Sequence, residues 1–288
     1  MPTTLPILLL DGLVPVAADF MANYQALADA IDALGVPSSG GGGGGGTTAT
    51  VGLSGVRGLT GTLAGTMLAV QADSVAFRNA AREVIAADAT GTITLDATVA
   101  GLNGRDQTAV FATPQILHAY FITNGIAIRT VLSDAAPPTG PDLIGLGAFS
   151  GYTNWAYIAP MVWHGASFDT ATLRGCRVFL QPEQIVASSP QATTETAVSV
   201  GAFVPPTALT FEIGGYLTEQ SNNTQLKIRM VTGTDYRTVN PSNTQVQSAS
   251  LSVTVPNIGQ QFYYLWTSAN GNAGVLTVTG YTSANGDA

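Results

Sequence analysis

Two kinds of hydrophobic pattern divide this chain. Near the start, large apolar residues fall at Phe20, Tyr24, Leu27, Ile31 and Leu34, a 4-3-4-3 spacing. That is the heptad seam of a coiled coil, so a helix is predicted there whose stripe needs a partner to be buried. Ala22, Ala26, Ala30 and Ala33 widen the face and allow close approach. Gly35 stands where a left-handed C-terminal cap is wanted, Val36-Pro37 stops the helix, and Gly40 through Gly46 uncouple it from the rest of the chain. If extended like polyproline II, those glycines span at most about 22 Å.

Further along, the period changes to two. Ile93, Leu95, Ala97 and Val99 alternate with Thr92, Thr94, Asp96 and Thr98, which predicts a half-buried strand over Thr90–Val99. In the last hundred residues the alternation recurs around Val198–Ala202, Leu209–Ile213, Leu226–Met230, Leu251–Val255, Phe262–Trp266 and Val275–Tyr281. Such a set of short strands with turns between them predicts an antiparallel sandwich or jelly roll. Apolar and aromatic runs at Ile126–Leu132, Leu143–Phe149, Trp155–Trp163 and Arg177–Leu180 extend the β character upstream.

Three stretches are less plain. Asp73-Ser74 is a capping signal, and Asp73–Ala87 is read as a short helix. Thr113-Pro114 followed by Gln115-Ile116-Leu117 predicts a helix over Pro114–Thr123; the competing reading is a hairpin pairing Ile116–Ile122 with Ile126–Leu132 across Asn124-Gly125. Glycines at 52, 55, 58 and 61 follow the collagen period, but with four triplets and no proline an extended glycine-rich stretch is expected instead.

Composition narrows the function. Only 10% of the 288 residues are charged, less than half of the usual share of about 25%. The surface is therefore polar and uncharged, or covered in an assembly. With 18 acidic against 10 basic residues, a net charge of −8 and no base before Arg57, binding nucleic acid through its phosphates is not expected. The apolar Leu5–Leu10 lacks the positive flank of a secretory signal, and no run reaches the length of a membrane span, so neither export nor membrane insertion is expected. Cys176 is the only cysteine, which excludes an intrachain disulfide.

Candidate chemistry is sparse. His118 and His164 stand in no metal-ligand spacing, Cys176 and His164 make an unconvincing nucleophile pair, and the glycine run is followed by no Gly-Lys-Ser/Thr. No cofactor, metal or catalytic residue is expected. The aromatics matter more. Tyr152, Trp155 and Trp163 lie around a Gly/Asn-rich stretch and serve either as receptor-contact rings, which stack on sugars or anchor partners, or as core. Tyr264 and Trp266 share a strand face with Phe262 and are expected in the core.

Leu13-Val-Pro-Val-Ala-Ala-Asp-Phe-Met-Ala-Asn-Tyr-Gln-Ala-Leu27 resembles the N-terminal virion-anchoring segment of tailed-bacteriophage fibre and spike proteins, and Asp106–Leu117 is similar to a unit near the ends of fibre shafts. The resemblance implies a homotrimeric virion appendage. Residues 1–37 would anchor on a capsid, collar or tail protein, and 38–50 would be the Gly-rich linker. Residues 51–125 would form a short shaft-like segment, and 126–288 a β-rich tip, in one part or as 126–189 and 190–288, that contacts a host glycan or protein. A capsid decoration protein is the alternative, and a glycan depolymerase a third. The expected fold is mainly β.

Overall fold

The computed structural model describes residues 55–78, 84–137, 139–188, 191–219, 225–229, 236–239, 248–267 and 271–283. The chain divides into Met1–Thr47 and Thr48–Ala288, and every described residue belongs to the second unit. The expected anchoring helix with Phe20, Tyr24, Leu27, Ile31 and Leu34, and the glycine joint, lie outside the described residues.

The strands are β1 (Val56–Arg57), β2 (Thr60–Ala64), β3 (Met67–Arg78), β4 (Val84–Asp96), β5 (Gly104–Arg105), β6 (Gln115–Thr123), β7 (Ile128–Ser133), β8 (Asn154–Trp163) and β9 (Ala171–Arg174). They continue with β10 (Arg177–Ser188), β11 (Thr196–Ser199), β12 (Ala208–Glu219), β13 (Leu226–Arg229), β14 (Tyr236–Val239), β15 (Ser248–Pro256), β16 (Gln261–Trp266) and β17 (Gly271–Ser283). The fold is mainly β, and one 3₁₀ turn at Gly147–Phe149 is the only helical element among the described residues.

A 13-stranded sheet runs β15-β12-β17-β10-β9-β2-β3-β8-β6-β7-β5, with β1 and β4 also paired to β3. Every pairing is antiparallel except β5 with β7. A second sheet, β11-β16-β13-β14, is separate from it. Phe211 of β12 and Phe262 of β16 meet across the two sheets at 6.3 Å. Val198, Leu226, Ile228, Tyr264 and Trp266 share one core cluster with Ile213, Val255, Leu276 and Val278, which makes this end of the molecule sandwich-like. Tyr264 and Trp266 are buried as expected.

Local chemistry explains the turns. Gly65 and Gly175 both have positive φ and open two-residue loops, between Ala64 and Met67 and between Arg174 and Arg177. Glycine is favoured at that first loop position of a tight hairpin. Asn124 Oδ1 accepts from the amides of Ile126 and Ala127, and Gly125 takes φ +85°, so Asn124-Gly125 is the turn between β6 and β7.

The hairpin, not the helix over Pro114–Thr123, is therefore formed. The reason is that β6 is buried on both faces from Leu117 on: Leu117, Ala119 and Phe121 enter the main core, while Tyr120 and Ile122 enter a second cluster. A strand with no polar face lacks the alternation by which a strand is read. Asp73–Ala87 is likewise not helical where it is described: 73–78 belong to β3 and 84–87 to β4. Asp73 and Ser74 fall at a register shift between Ala72 and Val75, so the apparent cap is the site of a bulge. Leu143–Phe149 forms a loop with the 3₁₀ turn instead of a strand.

The boundary expected at 125/126 falls inside the β6–β7 hairpin. Residues 51–125 are no separate shaft where described, because β2 pairs with β9, placing Thr60 opposite Arg174 in the same sheet and unit.

β8 carries the most informative irregularity. Ala119 pairs with Ala159 but Tyr120 pairs with Tyr157, leaving Ile158 as an extra residue in β8. Side-chain parity flips there. Trp155 and Tyr157 lie in the second cluster, whereas Ala159, Met161 and Trp163, of the same parity in sequence, lie in the main core.

Candidate functional site

The three rings read either as receptor contacts or as core are turned inward. Tyr152 and Trp155 are each 8% exposed and Trp163 is 4% exposed. Trp155 packs edge-on against Tyr120 at 5.3 Å, and the Arg78 guanidinium lies 4.3 Å from its ring centroid. On the indole rests Gly140, φ +74°, where a Cβ would overlap the ring. Trp163 packs on Phe168 at 4.8 Å. These rings present no free face for stacking; they fill the two faces of the β6–β8 layer, which the loop after β7 covers with Leu143, Leu146 and Phe149. Their enrichment beside Gly and Asn reflects the close-packed cover, not an open platform.

The titratable residues of this region form a buried network. His118 Nδ1 is 3.0 Å from the Tyr157 hydroxyl. Burial lowers the His118 pKa to about 4, against a smaller upward pull from Asp134, so at neutral pH the ring is uncharged. Burial pushes the Tyr157 phenol up, so it keeps its proton. The Tyr281 hydroxyl donates to the Pro160 carbonyl at 2.8 Å.

Asp106 lines a hollow of about 300 Å³ with Ser133, Asp134 and Asp142. Burial raises its pKa, hydrogen bonds from Ser133 and the Asp142 amide oppose that, and the charges of Asp134 and Asp142 raise it further. Among the described residues no group of three or more His, Cys, Asp or Glu is arranged to hold a metal ion. His164 is hydrogen-bonded to Asp169 at 3.1 Å, and no hydrogen bond joins it to Cys176 among the described residues.

An open polar trough lies elsewhere, across β9, β2, β3 and β4, with a volume of about 500 Å³. The ladder registers build it. Arg174, Thr60 and Gln71 form one cross-strand row, and Thr172, Thr62, Ala69 and Thr94 form the next. Strands are about 4.8 Å apart, so each row presents polar groups at that interval. Inward, the alternate residues Leu63, Leu68, Val70 and Leu173 are in the core, which fixes the outward facing of the rows. Ala69 keeps the middle low, and the backbone at Gly61 and Val70 contributes to the floor.

Thr92 Oγ1 donates to Gln71 Oε1 at 3.1 Å, a bond that orients the amide through its oxygen and does not engage its NH₂. Arg174 is the one charged residue lining the trough, is exposed, and makes no ion pair among the described residues. Sequence reasoning identified Thr92 and Thr94 as a polar strand face but read 52–61 for its glycine period, missing the outward Thr60 and Thr62. The signal was Thr-Gly-Thr-Leu, a period-two pattern. It required the β2–β9 pairing, which joins distant parts of the chain, to become a surface.

No protein-family model matches this chain, and no curated protein is significantly similar to it.

Proposed function

We propose that this protein is a non-catalytic structural and adhesive subunit of a bacteriophage particle. Residues 1–37, through Phe20, Tyr24, Leu27, Ile31 and Leu34, attach to a capsid, collar or tail protein. The Gly-rich run serves as the joint, and the β-rich unit faces outward to hold a host-surface ligand. The observation that carries the reading is the division of the chain between Thr47 and Thr48, at the end of a glycine run that follows a heptad stripe. A polar trough with a single charge, open on the β-rich unit, supports adhesion without chemistry. Assembly as a homotrimer would let three weak sites act together at high effective concentration.

Light scattering on the full chain and on a chain beginning at Thr47 tests the assembly. Trimers from both place assembly in the β-rich unit and leave the heptad segment for attachment. Trimers that dissociate on truncation make that segment the oligomerising element. A monomer that joins particles equally well without residues 1–46 overturns the proposal.

One observation favours a second reading, a shell decoration protein. Ile126 and Ile144 are each 94% exposed, and Val110 is 79% exposed, apolar tips that neighbouring shell subunits would cover. Copy number separates the two: a few sets at a vertex or tail for an appendage, one per capsomer for decoration.

A further inference from the structure

We propose that the trough on β9, β2, β3 and β4 binds a carboxylate-bearing saccharide, with its hydroxyls along the threonine rows and its acidic group on Arg174. This inference rests on the adhesive reading and names the ligand of that surface.

Three observations converge on this class. The first is the type of hydrogen-bonding group. Thr60, Thr62, Thr172 and Thr92 present hydroxyls, each able to donate and accept, and Gln71 presents an amide held by Thr92. A sugar ring likewise offers hydroxyls that donate and accept, at spacings of a few ångströms, whereas an apolar peptide would leave these groups unpaired. The second is shape. About 500 Å³ lies within the usual range of small-ligand sites, and Ala69 between threonine-bearing neighbours leaves a low path along which a ring can lie. Threonine methyl groups then meet the C–H face of the ring.

The third observation is charge, and it decides between neutral and acidic sugars. The chain carries 18 acidic against 10 basic residues, yet no carboxylate lines the trough and its single charged group is a guanidinium. With no ion-pair partner among the described residues, Arg174 has its planar fork available, and that fork matches a carboxylate in bidentate geometry. Arg174 is held at the rim by two ladders, opposite Thr60 of β2 and Arg177 of β10, at the end of the tight Gly175 turn. One base is far too few for a nucleic-acid strand, which needs a track of cations along its phosphates. The negative net charge opposes long-range attraction of an anion, so recognition is short-range and selective.

The test measures binding of trigalacturonate, maltotriose and a glycerol-phosphate oligomer to the full-length protein by titration calorimetry and by ligand-observed NMR. The expected result is weak binding of trigalacturonate that R174Q reduces about tenfold and T62W abolishes, with far-UV circular dichroism unchanged in both variants. Substitution at these outward positions leaves the core intact, and a third variant, T92V, checks the oriented amide with a smaller loss. Equal affinity for maltotriose and trigalacturonate, tighter binding of the phosphate oligomer, insensitivity to R174Q, or no binding by any of the three overturns the assignment. Capture of whole bacteria by the immobilised protein separates this failure from that of the adhesive reading. Capture that T62W leaves unchanged removes the trough and keeps adhesion, and absence of capture by every form removes adhesion itself.

Discussion

Pro160 occupies the middle of β8, where a proline ordinarily removes a ladder hydrogen bond. It sits opposite His118 of β6, but its carbonyl points the other way, to the Tyr281 hydroxyl. The N–H and C=O of a strand residue point to the same side, so the donor that proline lacks faces away from β6. Tyr281→Phe removes the hydroxyl that this buried carbonyl accepts from and should cost about 1–3 kcal/mol, read by urea unfolding. Trp155→Ala should cost about 3–5 kcal/mol in the same assay, since the indole fills the space under Gly140 and Arg78. His118 gives the pH dependence. Its folded pKa of about 4 lies below the ordinary 6.5, so between those values the unfolded chain binds the proton that the folded one refuses. Stability from this group is complete above pH 6.5, falls as the pH drops towards 4, and is then lost by about 3 kcal/mol. Asp106, whose pKa burial raises, acts in the opposite sense, gaining folded stability as acid protonates it. Comparison of wild type with His118→Gln across pH 7 to pH 4 therefore isolates the histidine, and the variant should show the flatter profile.

At the level of elements, what could be read from the sequence was what alternates. All six of the strands expected after residue 190 are present in whole or in part as β11, β12, β13, β15, β16 and β17, because each has one buried and one wetter face or a clear apolar period. The anomalies lie where periodicity carries no sign. β6 and β8 are both buried on two faces; the run of β8 reads as β, but that of β6 fits helix or strand alike, and Asn124-Gly125, which can end a helix or turn a hairpin, does not discriminate. Trp155 and Trp163 have the same parity, and a regular strand would set them on one face; the extra residue Ile158 sets them on opposite faces. Deleting Ile158 makes their interval odd, so the shortened strand runs regularly with Tyr157 still opposite Tyr120 and Ala159 opposite Ala119, and only a buried side chain is lost from the main core. The expected outcome is near-UV circular dichroism retained, with stability lower by about 2–5 kcal/mol in urea unfolding for the lost side chain. A bulge is a property of pairing, and a single strand's sequence does not announce it.

For the whole molecule, the β class was legible and the arrangement was not. A shaft was expected over 51–125, but β2 and β3 join the sheet that contains β9 and β10, and that joining is encoded in neither segment alone. The candidate trough was hidden for the same reason, since its two rows join β2, β3 and β4 to β9, which is far from them in sequence. The apolar tips Ile126 and Ile144, by contrast, lie outside the core. Ile126→Ser and Ile144→Ser should each change stability by no more than about 0.5 kcal/mol, while reducing attachment to particles if shell subunits cover them; denaturation curves and particle binding read the two effects separately.

β17 is the last of the described strands in chain order, yet it lies inside the large sheet, with β12 on one edge and β10 on the other. As the chain leaves the ribosome, β10 and β12 must wait for it with open edges through the synthesis of everything between. During that interval they are templates for pairing with the wrong partner. Crowding several nascent chains on one messenger would therefore favour entanglement between copies, and slow elongation before residue 271 would lengthen the vulnerable period. The yield of correctly folded protein thus depends on the order and pace of synthesis as well as on the stability of the finished sheet.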